Sequence, residues 1–169
     1  MKNILMIAIL TTGMIGLPAS AQWKTTLDAD PITDDAIFLT TTVGDIPSKY
    51  GDAITLSLRC TPDDYDVFVS FNEYIGSQPM VTYRIDKEKP VDTRWDSATS
   101  KQGAFAPDNY IVDLIEGMVK GTKMVVRITP YNENPKTITF NMVGFTNSLK
   151  PYNKKCPVLE DFLNRLTAK

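Results

Sequence analysis

The chain has 169 residues, 18 basic and 20 acidic side chains, a net charge of −2 and no histidine. That length fits one domain able to bury its own core. The mild acidity leaves no basic stripe for nucleic acid, and the missing histidine removes His-based triads, His general bases and most zinc sites.

Lys2 is the only charge in the first 21 residues, and an apolar run from Ile4 to Ile15 leads into Gly16-Leu17-Pro18-Ala19-Ser20-Ala21. A basic start, a short apolar stretch and a small-x-small site predict a signal peptide over 1–21, cut near Ala21-Gln22. The run is too short to span a bilayer, which takes about 20 residues. No cysteine stands at the cut to carry a lipid anchor, and no later run is long enough for a membrane span. Residues 22–169 are therefore expected to form a single secreted β-rich domain, periplasmic or beyond, with a charge of 17 − 20 = −3. Cys60 and Cys156 are the only cysteines. In an oxidising compartment they read as one disulfide, with two reduced core thiols as the alternative.

From Trp23 onward the chain reads mostly as strands. Residues 36–43 are β-branched and apolar. In 53–60, Ile54, Leu56, Leu58 and Cys60 alternate with Thr55, Ser57 and Arg59, the period of a half-buried strand. The turn Thr61-Pro62-Asp63-Asp64 and a second alternating run, Tyr65 to Phe71, complete an antiparallel hairpin. Residues 80–86 alternate again. Lys87-Glu88-Lys89-Pro90 is a turn, 91–97 is a weaker strand carrying Trp95, and 102–105 is a short one.

The period then changes. Ile111, Leu114, Ile115, Met118 and Val119 form one stripe of a helix over 108–119, with Asp108 or Asn109 as N-cap and Gly121 at its end. Residues 122–129 and 136–143 make a second hairpin around Pro130–Pro135. A helical turn near Thr146 or Asn147 leads to Cys156. An amphipathic helix follows, with Val158, Leu159, Phe162, Leu163 and Leu166 on one face. The expected fold class is mainly β with one central helix, an antiparallel sandwich or curved sheet, and a short C-terminal helix.

Several strings in order carry a resemblance. They are Asp30-Pro31-Ile32-Thr33-Asp34-Asp35, Leu58-Arg59-Cys60 with Asp66-Val67-Phe68-Val69, Val81-Thr82-Tyr83-Arg84-Ile85-Asp86, Trp95-Asp96-Ser97, and Val126-Arg127-Ile128-Thr129-Pro130-Tyr131. The last is the Cys after Leu149-Lys150-Pro151. Over about 23–156 the chain resembles the VasI or TagO-like family of type VI secretion-associated periplasmic proteins, and the tail 157–169 runs past that pattern. The resemblance implies a non-catalytic accessory protein recognising secretion-apparatus subunits in the envelope. A different class is a secreted inhibitor or immunity protein against a cell-wall-degrading enzyme or effector. Peptidoglycan and a wall hydrolase are further candidate partners. No cofactor or metal is expected.

The candidate contact residues are Arg84, Asp86 and Arg127, with Tyr131 and Trp95. Arg84 and Arg127 sit on the polar faces of their strands and Asp86 two residues from Arg84, which allows a patch suited to a carboxylate or a plain cross-strand ion pair. Tyr131 with Glu133 extends the patch or serves the hairpin turn. Trp95 is either a surface anchor or an edge of the core. The acidic clusters Asp28/Asp30/Asp34/Asp35 and Asp63/Asp64/Asp66 invite calcium but read as turn and cap carboxylates; the first has a Pro and no Gly and does not fit the EF-hand spacing.

Overall fold

The computed structural model describes residues 23–152 and 156–167; the signal-peptide reading of 1–21 lies outside them. Strands β1 (Lys24–Ala29), β2 (Ala36–Pro47), β3 (Ala53–Cys60) and β4 (Tyr65–Ser70) form a meander. Then come β5 (Met80–Ile85), β6 (Val91–Arg94), β7 (Asp96–Ser97), β8 (Gly103–Phe105), helix α1 (Asp108–Lys120), β9 (Lys123–Ile128) and β10 (Lys136–Asn141). The C-terminal part holds α2 (Phe145–Ser148), a 3-10 turn (Lys150–Tyr152) and α3 (Pro157–Thr167). Two antiparallel sheets result, one in the order β1-β2-β3-β4-β8-β7 and one in the order β10-β9-β5-β6. The protein is the expected β-sandwich.

Period-two alternation builds both walls of the core. Ile54, Leu56, Leu58 and Cys60 of β3 are buried, as are Val81 and Tyr83 of β5 and Met124, Val126 and Ile128 of β9. The sheets meet where β2 bends over β10. Its register shifts between Val43 and Pro47. Gly44 is required there, because a Cβ would stand 2.4 Å from Ile138 Cγ2. Asp45 Oδ1 accepts the Thr139 backbone N–H at 2.7 Å, which satisfies part of the β10 edge.

The strand expected over 91–97 is broken at Trp95. Residues 91–94 pair with β5 in one sheet, and 96–97 pair with β8 in the other. Trp95 sits at the crossing and is fully buried, its ring edge-on to Tyr83 at 6.2 Å. Its indole N–H has no partner among the described residues. Trp95 is thus a core residue and not a surface anchor: the largest apolar side chain fills the point where the chain changes sheets.

Helix α1 buries Ile111, Leu114, Ile115 and Met118, as its stripe predicts. Its N-cap is Pro107, with no side-chain cap from Asp108 or Asn109. Gly121 ends the helix with an ordinary negative φ of −83°. Its need for glycine is contact, since a Cβ would stand 2.4 Å from Ile85 Cγ2 and 2.8 Å from the Gly117 carbonyl oxygen.

Cys60 and Cys156 form a disulfide with their Cα atoms 6.2 Å apart. It ties the end of β3 to the start of α3, whose Leu159 and Phe162 are buried. The tail therefore docks on the domain through these residues. Val158 and Leu166 lie outside the residues whose side chains are described. Tyr152 adds a second tie, its hydroxyl lying 2.7 Å from Thr40 Oγ1 and 3.2 Å from the Leu58 carbonyl oxygen. Burial pushes the Tyr152 hydroxyl up to about 12, so it stays a donor.

Candidate functional site

The outer face of the four-stranded sheet carries two of the five predicted contact residues, Arg84 and Arg127. Alternation that sends Val81 and Tyr83 inward sends Met80, Thr82 and Arg84 outward. The same rule on β9 exposes Lys123 and Arg127. Arg84 stands opposite Val125, and Thr82 opposite Arg127. The two arginines are therefore diagonal neighbours on one face, at a Cα spacing of about 7–8 Å. Between them lies a depression of about 180 Å³, lined by Thr82, Tyr83, Arg84, Pro90, Val125 and Arg127.

Arg127 is oriented by donating from Nε to Thr137 Oγ1 at 3.0 Å. Arg84 has no ion-pair or hydrogen-bond partner among the described residues. Pairing with β6 brings Arg94 opposite Met80 and Asp92 opposite Thr82, whose hydroxyl donates to Asp92. The face thus carries Arg84, Arg94, Lys123 and Arg127 against the single carboxylate of Asp92, on a chain whose net charge is negative. Arg94 and Lys123 belong to this face although the sequence patch omitted them. Their alternation with Thr93 and Met124 was the available signal.

Asp86 does not complete the patch. The strand ends at Ile85, and Asp86 turns away with a φ of 46°. Its carboxylate accepts the Thr122 hydroxyl at 2.7 Å and the backbone N–H groups of Thr122 and Lys123 at 3.0 Å. The Thr122 hydroxyl and these amides hold its carboxyl below the usual value. Asp86 is a clasp between the β5 end and the α1–β9 connection, so neither version of the Arg–Asp pairing forms.

Tyr131 lies beyond the face as well. It is exposed in the β9–β10 turn and meets Tyr74 edge-on at 5.8 Å. Glu133 in the same turn pairs with Lys49 and stands 3.8 Å from Lys136. Lys136 in turn donates to both oxygens of the fully buried Glu73, at 2.8 and 2.7 Å. Lys49, Glu73 and Lys136 come from three separate segments, and no periodicity in the sequence brings them together.

A second cleft, of about 370 Å³, opens between α1 and the β5–β6 turn, with Tyr83, Ile85, Val91 and Gly117 in its wall and Lys89 and Lys120 at its rim. Burial, then Tyr110 and Asp113, push the Tyr83 hydroxyl up to about 12, so it is a hydrogen-bond donor and not a nucleophile at neutral pH. Of the acidic clusters, Asp30 accepts the N–H groups of Ile32 and Thr33 at 2.8 and 3.0 Å, and Asp66 pairs with Arg59. These are turn and strand carboxylates. Among the described residues no group of three or more Cys, Asp or Glu is placed to hold a metal ion. None of the described helices is long and apolar enough to cross a membrane.

Comparison with known proteins corrects the family reading. Residues 59–153 match the model of the IalB family, described as invasion associated locus B protein. The crystal structure of invasion associated protein B from Bartonella henselae is similar, with a TM-score of 0.54 at 14% identity, over 88% of this chain and 92% of that one. No curated protein matches the sequence. Nothing in these matches supports a VasI, TagO or type VI secretion relationship. The strings that suggested it, VTYRID and RITPY, lie along β5 and β9 and into the turn after β9, where alternation is what any half-exposed antiparallel pair requires. With its model spanning more than half of the chain, residues 59–153, the protein belongs to the IalB, or invasion associated locus B, family.

Proposed function

We propose that the protein is an extracytoplasmic recognition protein that acts without turnover and holds an acidic partner on the outer face of its four-stranded sheet. The observation that carries this reading is the pair Arg84 and Arg127, diagonal neighbours flanking a depression of about 180 Å³. Guanidinium groups are suited to bidentate capture of a carboxylate. Charge concentrated on one face of an otherwise acidic chain steers such a partner and sets its orientation. The location is supported by the export pattern of residues 1–21, by the Cys60–Cys156 bond and by the family. On this reading residues 22–169 work as one unit after the first 21 are removed. The names of the family and of its Bartonella relative associate them with invasion, a setting in which surface recognition has a place.

The test is retention of the mature protein on immobilised poly-glutamate. The wild type is expected to be retained at low salt and released as screening sets in, near 0.15 M, where the Debye length is about 8 Å. Arg84→Glu with Arg127→Glu should abolish retention while circular dichroism and melting temperature stay unchanged. Equal retention of a folded double variant would refute the assignment of this face.

A further inference from the structure

The end of the sandwich formed by the β2–β3, β4–β5 and β9–β10 turns carries a second surface, distinct from the cationic face. The turns read Ser48-Lys49-Tyr50-Gly51-Asp52, Asn72-Glu73-Tyr74-Ile75-Gly76-Ser77-Gln78 and Tyr131-Asn132-Glu133-Asn134. Tyr50, Tyr74 and Tyr131 are 67%, 49% and 65% exposed, and they are the only large apolar side chains that these segments expose. Tyr74 and Tyr131 are locked together, edge to face at an interplanar angle of 87°, with the Tyr131 N–H donating to the Tyr74 carbonyl. Lys49 lies over one face of the Tyr50 ring, 5.1 Å from its centre, while also binding Glu133. The chain Lys49, Glu133, Lys136 and buried Glu73 anchors all three turns from beneath.

Rings held rigidly at a surface lose little entropy on binding, and each ring offers an apolar face with a hydroxyl at its rim. Glu133 is held below the usual carboxyl value, first by its hydrogen bond with Lys49, so it remains an acceptor. Asn132, Glu133 and Asn134 also line an open groove of about 560 Å³ with Pro135 and Lys136. Flat aromatic faces flanked by carboxamides and an acceptor carboxylate suit one chemistry best. A pyranose ring has an apolar C–H face to stack on a tyrosine and hydroxyls that donate to Glu133 and exchange hydrogen bonds with the asparagines. We propose that this three-turn end is a carbohydrate-binding site for pyranose chains, with Tyr74 and Tyr131 as the stacking platform and Glu133 as the hydroxyl acceptor.

The experiment uses mature wild-type protein, co-sedimentation with purified peptidoglycan sacculi, and titration with soluble neutral oligosaccharides of hexoses and of N-acetylhexosamines. Binding to sacculi and the N-acetylated sugars would identify wall glycan as the source; binding to the neutral hexose chains would identify another surface glycan. In either case Tyr131→Ala and Tyr74→Ala should each weaken binding at least tenfold. Tyr131→Phe, which keeps the ring, should retain most of it. Failure to bind any of these glycans at millimolar concentration overturns the proposal. So does glycan binding that survives Tyr74→Ala with Tyr131→Ala, or envelope adsorption that protease abolishes and glycan digestion does not.

Discussion

Glu73 concentrates the chemistry of the loop end in one side chain. Its carboxylate is fully buried, and Lys136 donates to both of its oxygens, at 2.8 and 2.7 Å. Removing one member of such a pair leaves the other charge without its partner, at a typical cost of about 3–5 kcal/mol. Glu133, 3.8 Å from Lys136, is a weaker substitute on a more exposed site. Glu73→Ala is therefore expected to lower the unfolding free energy by about 3 kcal/mol in urea denaturation, whereas Glu73→Leu combined with Lys136→Met should recover most of that loss. At this scale the sequence was only partly legible. The outward direction of Arg84 and Arg127 followed from alternation alone. The diversion of Asp86 did not, because a left-handed residue just past the end of a strand ends the two-residue period that placed it beside Arg84. Trp95 was ambiguous for a related reason: polar neighbours mark a crossing between sheets as readily as they mark a surface.

Helix α1 depends on two glycines that face Ile85 and that fulfil different requirements. A Cβ on Gly117 would stand 2.4 Å from Ile85 Cδ1, the movable tip of a side chain, while one on Gly121 would also meet the Gly117 carbonyl oxygen at 2.8 Å. Gly117→Ala gains helix propensity of about 1 kcal/mol against a side-chain shift, and should be close to neutral. Gly121→Ala has backbone in its way and should destabilise by about 1–3 kcal/mol. Urea midpoints of the two single variants check the ordering. Elements of this kind were the most readable part of the chain. The two hairpins, the stripe of α1 and the terminal helix all follow from their apolar periods. What the periods could not supply was the partition of strands between sheets. The break at Trp95 and the bend of β2 at Gly44 are set by contacts distant in the chain, and these decide which strands become neighbours.

Across the whole molecule, a six-stranded and a four-stranded sheet enclose one core, and the Cys60–Cys156 bond fastens the C-terminal helix to the first. Closing so long a loop contributes about 4–5 kcal/mol in the chain-entropy account. The two outer faces differ. The six-stranded sheet presents Phe68 and Phe105, 5.1 Å apart, with Arg59 neutralised by Asp66, whereas the four-stranded sheet presents the arginines. Recognition through the cationic face is the central claim, and site-specific photocrosslinking in the native envelope tests it most directly. A benzophenone amino acid placed at Val125, two residues from Arg127 on β9 and directly opposite Arg84, is predicted to yield an adduct that vanishes when both arginines are changed to glutamate. The same group at Phe68, on the opposite sheet, is predicted to yield none. Adducts from Phe68 with none from Val125 would contradict the claim and move the contact surface to the other side of the sandwich.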